Sequence, residues 1–142
     1  MGSDSIIPFI QNKTKGAFVL CLTSNNSAKE VQFFKNGNNT VFQFISKLGE
    51  SLNENNNIGL VVGATNPSFM DQIREANSLP WLIPGIGAQG GNLKQSVTIS
   101  NKNNSLGLIN VSRGIIFSGD CSIDDITNAA KSYNDNINGY DE

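Results

Sequence analysis

Four short apolar runs punctuate the chain, at residues 17–22, 58–64, 81–86 and 106–111. Three are near-continuous rather than alternating, the pattern of parallel strands covered on both faces. Helical periodicity follows most of them. Thr40 and Gln43 form a capping box ahead of Val41, Phe44, Ile45, Leu48 and Leu52 at helical spacing. Asn66 and Pro67 read as an N-cap with proline in the first turn, ahead of a stripe of Phe69, Ile73 and Ala76. Ser122 opens a final helix carrying Ile123, Ile126, Ala130 and Tyr133 on one side. Weaker signals are a capping box at Ser27 and Glu30, a turn at Asn36-Gly37, and a short helix near 93–97 that gives way to a loop through Asn104. Trp81 and the phenylalanines are expected in the core. The order is strand then helix, four times over, which implies a parallel α/β sheet with right-handed crossovers. Four such units are about half of a (β/α)8 barrel.

In parallel α/β folds the chemistry sits at the C-terminal ends of the strands. The runs here end in Thr23-Ser24-Asn25, Gly63-Ala64-Thr65-Asn66, Pro84-Gly85-Ile86-Gly87-Ala88-Gln89-Gly90-Gly91 and Ser112-Arg113-Gly114. Small, polar and glycine-rich residues at all four ends let a ligand approach the backbone closely. The third end is the strongest signal. Its glycines permit positive φ and bare amides that can donate to phosphate oxygens. Gln89 adds a neutral donor, and Arg113, one strand on, adds a planar cation suited to bidentate phosphate contact.

Composition narrows the chemistry. The 142 residues contain no histidine, which removes Ser-His and Cys-His pairs and histidine-based metal sites. Cys21 lies in an apolar run and Cys121 follows Gly119-Asp120, so neither a disulfide framework nor a zinc site is indicated. Net charge is −2 with scattered Lys and Arg, which argues against nucleic acid as a partner. No apolar run approaches the length of a membrane span, and the first residues do not read as a signal peptide, so cytoplasmic residence is expected. Gly85-x-Gly87-x-x-Gly90 fits a dinucleotide fingerprint literally. However, no helix follows directly and no acidic residue ends the next strand. A sugar-phosphate enzyme would need its catalytic groups among Asp71, Arg74, Glu75 and Asp120, which make no coherent set.

Three segments, taken together, resemble a known family. They are Leu-Val-Val-Gly-Ala-Thr-Asn-Pro at 60–67, Leu-Ile-Pro-Gly-Ile-Gly-Ala-Gln-Gly-Gly at 82–91 and Asn-Val-Ser-Arg-Gly-Ile at 110–115. In order and spacing they are similar to the last three strand ends of orotidine 5′-monophosphate decarboxylase, in its longer bacterial-type branch. Residues 18–25 resemble the strand before those, and residues 1–9 the loop and helix start that precede it. The resemblance covers nearly all of residues 1–142. It implies a (β/α)8 TIM-barrel fold, of which this chain is the C-terminal half-barrel, strands five to eight. It implies a homodimeric lyase of pyrimidine biosynthesis that takes orotidine 5′-monophosphate to UMP and carbon dioxide with no metal or organic cofactor. Carried over by motif, Gln89 and Arg113 hold the phosphate with the amides of Gly90, Arg113 and Gly114. Ser24 meets the pyrimidine edge, and Pro84 and Ile86 wall the base.

The same resemblance implies alternating Lys and Asp residues, in an Asp-x-Lys-x-x-Asp motif, for the decarboxylation itself. No such motif occurs in this sequence. The expectation is therefore a fragment that holds the substrate without the catalytic groups. The alternative is a non-catalytic phosphate- or nucleotide-binding half-barrel that works by assembly. Either way, open strand edges and an uncovered inner face are expected. A companion should cover them, as a missing N-terminal half or a second copy.

Overall fold

The computed structural model describes residues 2–140. Helix α1 (Ser3–Ile10) leads into β1 (Ala17–Leu22), a single helical turn α2 (Ala28–Val31), and a small hairpin of β2 (Lys35–Asn36) and β3 (Asn39–Thr40). Then follow α3 (Val41–Leu52), β4 (Ile58–Val62), α4 (Pro67–Ala76), β5 (Trp81–Ile83) and α5 (Leu93–Ser100). A 3-10 turn (Lys102–Asn104), β6 (Gly107–Ile109), the one-turn α6 (Arg113–Ile116) and the long α7 (Ile123–Tyr140) complete the chain. The four strands expected from the apolar runs form one parallel sheet in the order β1-β4-β5-β6, each beside the one that precedes it in the sheet's own sequence. No helix is long and apolar enough to cross a membrane among the described residues.

Strand alternation separates the two faces of this sheet. Ile58, Leu60 and Val62 of β4 and Trp81 and Ile83 of β5 point to one side and are buried. There they meet Phe42 and Ile45 of α3, Met70 and Ile73 of α4, and Ile99 of α5. Gly49 lets α3 sit close: a Cβ there would lie 3.1 Å from Leu60 and 3.3 Å from Leu79. The other side carries Phe18 and Leu20 of β1, Val61 of β4, Leu82 of β5 and Leu108 of β6. The register pairs Phe18 with Gly59, Leu20 with Val61, Val61 with Leu82 and Leu82 with Leu108. Among the described residues no helix covers this row, and Phe18, Leu20 and Leu108 are 45%, 56% and 43% exposed. The continuous apolar runs thus reflect two apolar faces, of which the chain's own helices cover one.

Several local expectations are corrected. Phe42, not Phe44, faces the core from α3, and Phe9, Phe18, Phe34, Phe44 and Phe117 are exposed. In α4 the buried face is Met70, Ile73 and Arg74, while Ala76 faces solvent and Phe69 stacks with Phe33 and Phe42. The Ser27 capping box does not form: Ser27 has helical rather than extended dihedrals, and its hydroxyl accepts from Asn25 Nδ2 at 2.8 Å. The helix expected near 93–97 forms and runs on to Ser100 instead of giving way to loop. Asn92 caps α5, accepting from the Gln95 amide at 3.0 Å, and Ser96, Val97, Ile99 and Ser100 are buried. The Thr40–Gln43 capping box forms as expected, with Gln43 Oε1 2.9 Å from the Thr40 amide.

Candidate functional site

All four C-terminal strand ends open on the same edge of the sheet, because the strands are parallel. Two adjacent cavities lie there. The first is lined by Pro84, Gly85, Ile86, Ala88 and Gln89 after β5, and by Asn110, Ser112 and Arg113 after β6. Its volume is about 110 Å³. The second, about 220 Å³, is lined by Ser24, Asn25, Asn26, Ala28, Lys29, Phe33, Thr65, Asn66 and Gln89. Gln89 belongs to both and so stands between them.

The local backbone explains this shape. Gly85 has φ +99°, and a Cβ there would fall 2.6 Å from Ser24 Oγ and 3.1 Å from Gln89 Oε1. Any larger residue would displace the two polar groups that meet over it. At Gly91 a Cβ would strike Ala64 Cβ at 2.5 Å, so the loop after β5 lies directly on the loop after β4. Arg113 starts α6, and the first amides of a helix have no acceptor within it. In this single turn the Ile115 and Ile116 amides donate to the Ser112 carbonyl at 3.0 and 2.9 Å, which leaves those of Arg113 and Gly114 as its opening donors.

Of the residues singled out in the sequence, Gln89, Arg113, Pro84 and Ile86 come together in the first cavity, and Ser24 lines the second. Ile86 is buried, whereas Gln89 and Arg113 are exposed. Ser24 Oγ is buried and has no hydrogen-bond partner among the described residues. Gly114 follows Arg113 at the second position of α6. Gly90 departs from expectation: its amide donates to the Gly87 carbonyl at 2.8 Å, closing a tight turn, and is not an unspent donor in this conformation. Among the described residues the salt bridge present is Lys102–Asp71, so the Arg113 guanidinium is not neutralised by a carboxylate.

Sequence reasoning did not assign Asn110 and Lys29, although both line the cavities. Asn110 lies inside a quoted motif but carries no distinctive chemistry, and Lys29 reads as a solvated helix residue. The residues of the sugar-phosphate reading do not converge. Arg74 is buried against Trp81, and Asp71 is paired with Lys102 on the outer layer.

A family model described as orotidine 5′-phosphate decarboxylase / HUMPS family matches residues 1–122. An orotidine 5′-phosphate decarboxylase of Natronomonas pharaonis is 39% identical over 88% of this chain, and one of Dehalococcoides mccartyi is 39% identical over 99% of it. The matches cover 46% and 55% of those relatives, so the chain spans about half their length. Among solved structures, Leishmania donovani OMP decarboxylase superimposes with a TM-score of 0.87 at 37% identity, covering 99% of this chain and 54% of that one.

Proposed function

The chain belongs to the orotidine 5′-phosphate decarboxylase family, and on that premise we propose that it forms the phosphate- and base-holding half of an enzyme converting orotidine 5′-monophosphate to UMP and carbon dioxide. The observation that carries this reading is the meeting of Gln89 and Arg113, from two neighbouring strand ends, in one cavity with Pro84 and Ile86. Arg113 offers two parallel N–H donors to phosphate oxygens, and the amides of Arg113 and Gly114 add more. Gln89 donates from the opposite wall. Pro84 and Ile86 give the pyrimidine an apolar surface, and the buried Ser24 hydroxyl meets its polar edge from the second cavity.

The bond-breaking step needs groups this sequence does not contain. By family resemblance, an aspartate stresses the substrate carboxylate, and a lysine protonates C6 as carbon dioxide leaves. We assign these to the remaining four βα units, whether on the same polypeptide or a separate one. The half described here still contributes to turnover, because binding energy from a remote phosphate can organise the reacting centre. Cytoplasmic residence is part of the same proposal, and so is the family's homodimer.

The surface supports a companion. The chain exposes 8526 Å², against about 7,100 Å² expected from size for a compact 15.3 kDa monomer. The uncovered row of Phe18, Leu20, Val61, Leu82 and Leu108 accounts for part of that excess, and β1 and β6 are open edges of the sheet. Closing a barrel over this row would cover both. The second reading, a nucleotide-binding half-barrel without decarboxylase activity, is favoured by the missing Asp-x-Lys-x-x-Asp motif alone. Adding a family N-terminal half separates the two, since only the first reading expects carbon dioxide release.

Calorimetric titration of the purified chain with UMP, with uridine as control, tests the shared premise. Binding of UMP well above uridine is expected. Equal binding of the two would remove the phosphate site from this chain.

A further inference from the structure

Behind the first cavity stands a residue to which neither the motifs nor the family resemblance gives a role. Tyr133 lies in the middle of α7, half-buried against the core. Its hydroxyl reaches two loops at once. A Cβ on Gly87, in the loop after β5, would lie 3.0 Å from Tyr133 Oη. A Cβ on Gly114, at the start of α6, would lie 2.7 Å from Oη, 3.3 Å from Cζ and 3.4 Å from Cε2. Gly114 has no positive φ to demand glycine. Its missing side chain is explained by the tyrosine tip that occupies the space.

The two loops that Tyr133 touches are those that carry Gln89 and Arg113 into the first cavity. Their separation fixes the gap across which those two residues face one another. A tyrosine ring is rigid beyond χ2, and α7 anchors it by packing on α5 and α6. We infer that Tyr133 is a positioning residue for the phosphate: its hydroxyl is a spacer between the two loops and sets the distance between the donors of Gln89 and Arg113. This rests on the phosphate reading given above and goes beyond it by assigning the cavity's geometry to a residue outside its lining.

The contact predicts coupling between Tyr133 and Gly114 that a core tyrosine without this role would not show. Y133F keeps the ring and removes the spacer. It should weaken UMP about tenfold, because sub-ångström to ångström misplacement of binding groups is costly. Uridine affinity should change less than twofold, with the thermal midpoint nearly unmoved. G114A should also weaken UMP, since its new Cβ is forced onto Oη. Combining it with Y133F should recover affinity toward that of Y133F alone, because the nearest remaining tyrosine atom is then Cζ.

The experiment is titration of the wild-type chain, Y133F, G114A and the double variant with UMP and with uridine, alongside their thermal midpoints. A fall in the UMP-to-uridine ratio for Y133F, with recovery in the double variant, supports the inference. An unchanged ratio in Y133F, or changes that merely track the thermal midpoint, would overturn it while leaving the phosphate site intact. A wild-type chain that does not prefer UMP would overturn the phosphate reading and this inference with it.

Discussion

The chain's two arginines occupy opposite surroundings, and their side chains have opposite tasks. Arg74 is fully buried and lies over the Trp81 ring at 3.8 Å. Its Nη1 donates to the Leu79 carbonyl at 2.9 Å and to the Asn77 carbonyl at 3.4 Å, tying the end of α4 to the start of β5. Burial pushes its pKa down to about 10, so it stays charged at neutral pH. Arg113 is exposed, free of carboxylates among the described residues, and at the cavity rim. Arg74→Ala should cost about 2–4 kcal/mol through lost packing and stranded carbonyls, read as a lower thermal midpoint. Arg113→Ala should leave the midpoint within about a degree or two and weaken UMP roughly ten- to a hundredfold, the range for a charge-assisted contact. Reversal of these two outcomes would exchange the structural and binding roles. Arg113 was legible in the sequence because it stands at a strand end beside glycine. Arg74 was not, because a charged residue at helical spacing normally signals the solvent face.

At the scale of elements, the strands were the clearest feature of the sequence and the helix faces the least clear. Continuous apolar runs mark strands whatever covers them, so all four were found. A helical stripe, by contrast, depends on which neighbours arrive. Phe44 and Phe42 are equally apolar, and only the position of β1 and β4 beside α3 decides that Phe42 is the one buried. Helix α5 was read as a short helix near 93–97 giving way to loop, because its sequence is largely polar. The Asn92-to-Gln95 spacing was the signal that marked its start. The beginning of α7 is set by a similar device. The Ser122 hydroxyl donates to Asp125 Oδ2 at 2.7 Å and accepts from the Asp125 amide at 3.1 Å. That hydroxyl, and then the Asp120 amide, hold the Asp125 carboxyl below its ordinary value of 3.8. A depressed carboxyl stabilises the fold above its ordinary value and loses that contribution as pH falls through the lowered one. Protection of the amides in the first turn of α7, taken relative to their intrinsic exchange at each pH, should therefore fall below about pH 4, and Asp125→Asn should flatten that dependence. A helix start whose exchange ignores both acid and this substitution would refute the assignment.

For the whole molecule, the exposed sheet face dominates. Periodicity gave the apolar character of Phe18, Leu20, Leu82 and Leu108 without counting layers; the expectation of an uncovered inner face came from the count of four βα units, half of a closed barrel. Leu20→Asp and Leu108→Asp remove apolar groups that are already half in water. Each should change the stability of the isolated chain by less than about 1 kcal/mol. In the assembled barrel the same carboxylates would be buried without partners. Either substitution should therefore abolish association with an N-terminal half, measured by sedimentation. Association that survives both would move the companion to another surface. The site is similarly divided. Gln89 and Arg113 could be read from glycine-rich strand ends, while Tyr133 could not, because its role depends on α7 folding back across two loops.

The sheet order β1-β4-β5-β6 follows the chain without a skipped neighbour. Each strand pairs with the one synthesised just before it in the sheet, so loop closure never spans more than a single crossover, and collapse need not wait for a distant segment. If the other half is a separate chain, the two stages separate in time. The first is unimolecular and independent of concentration, and the second is a bimolecular encounter whose half-time shortens as protein is added.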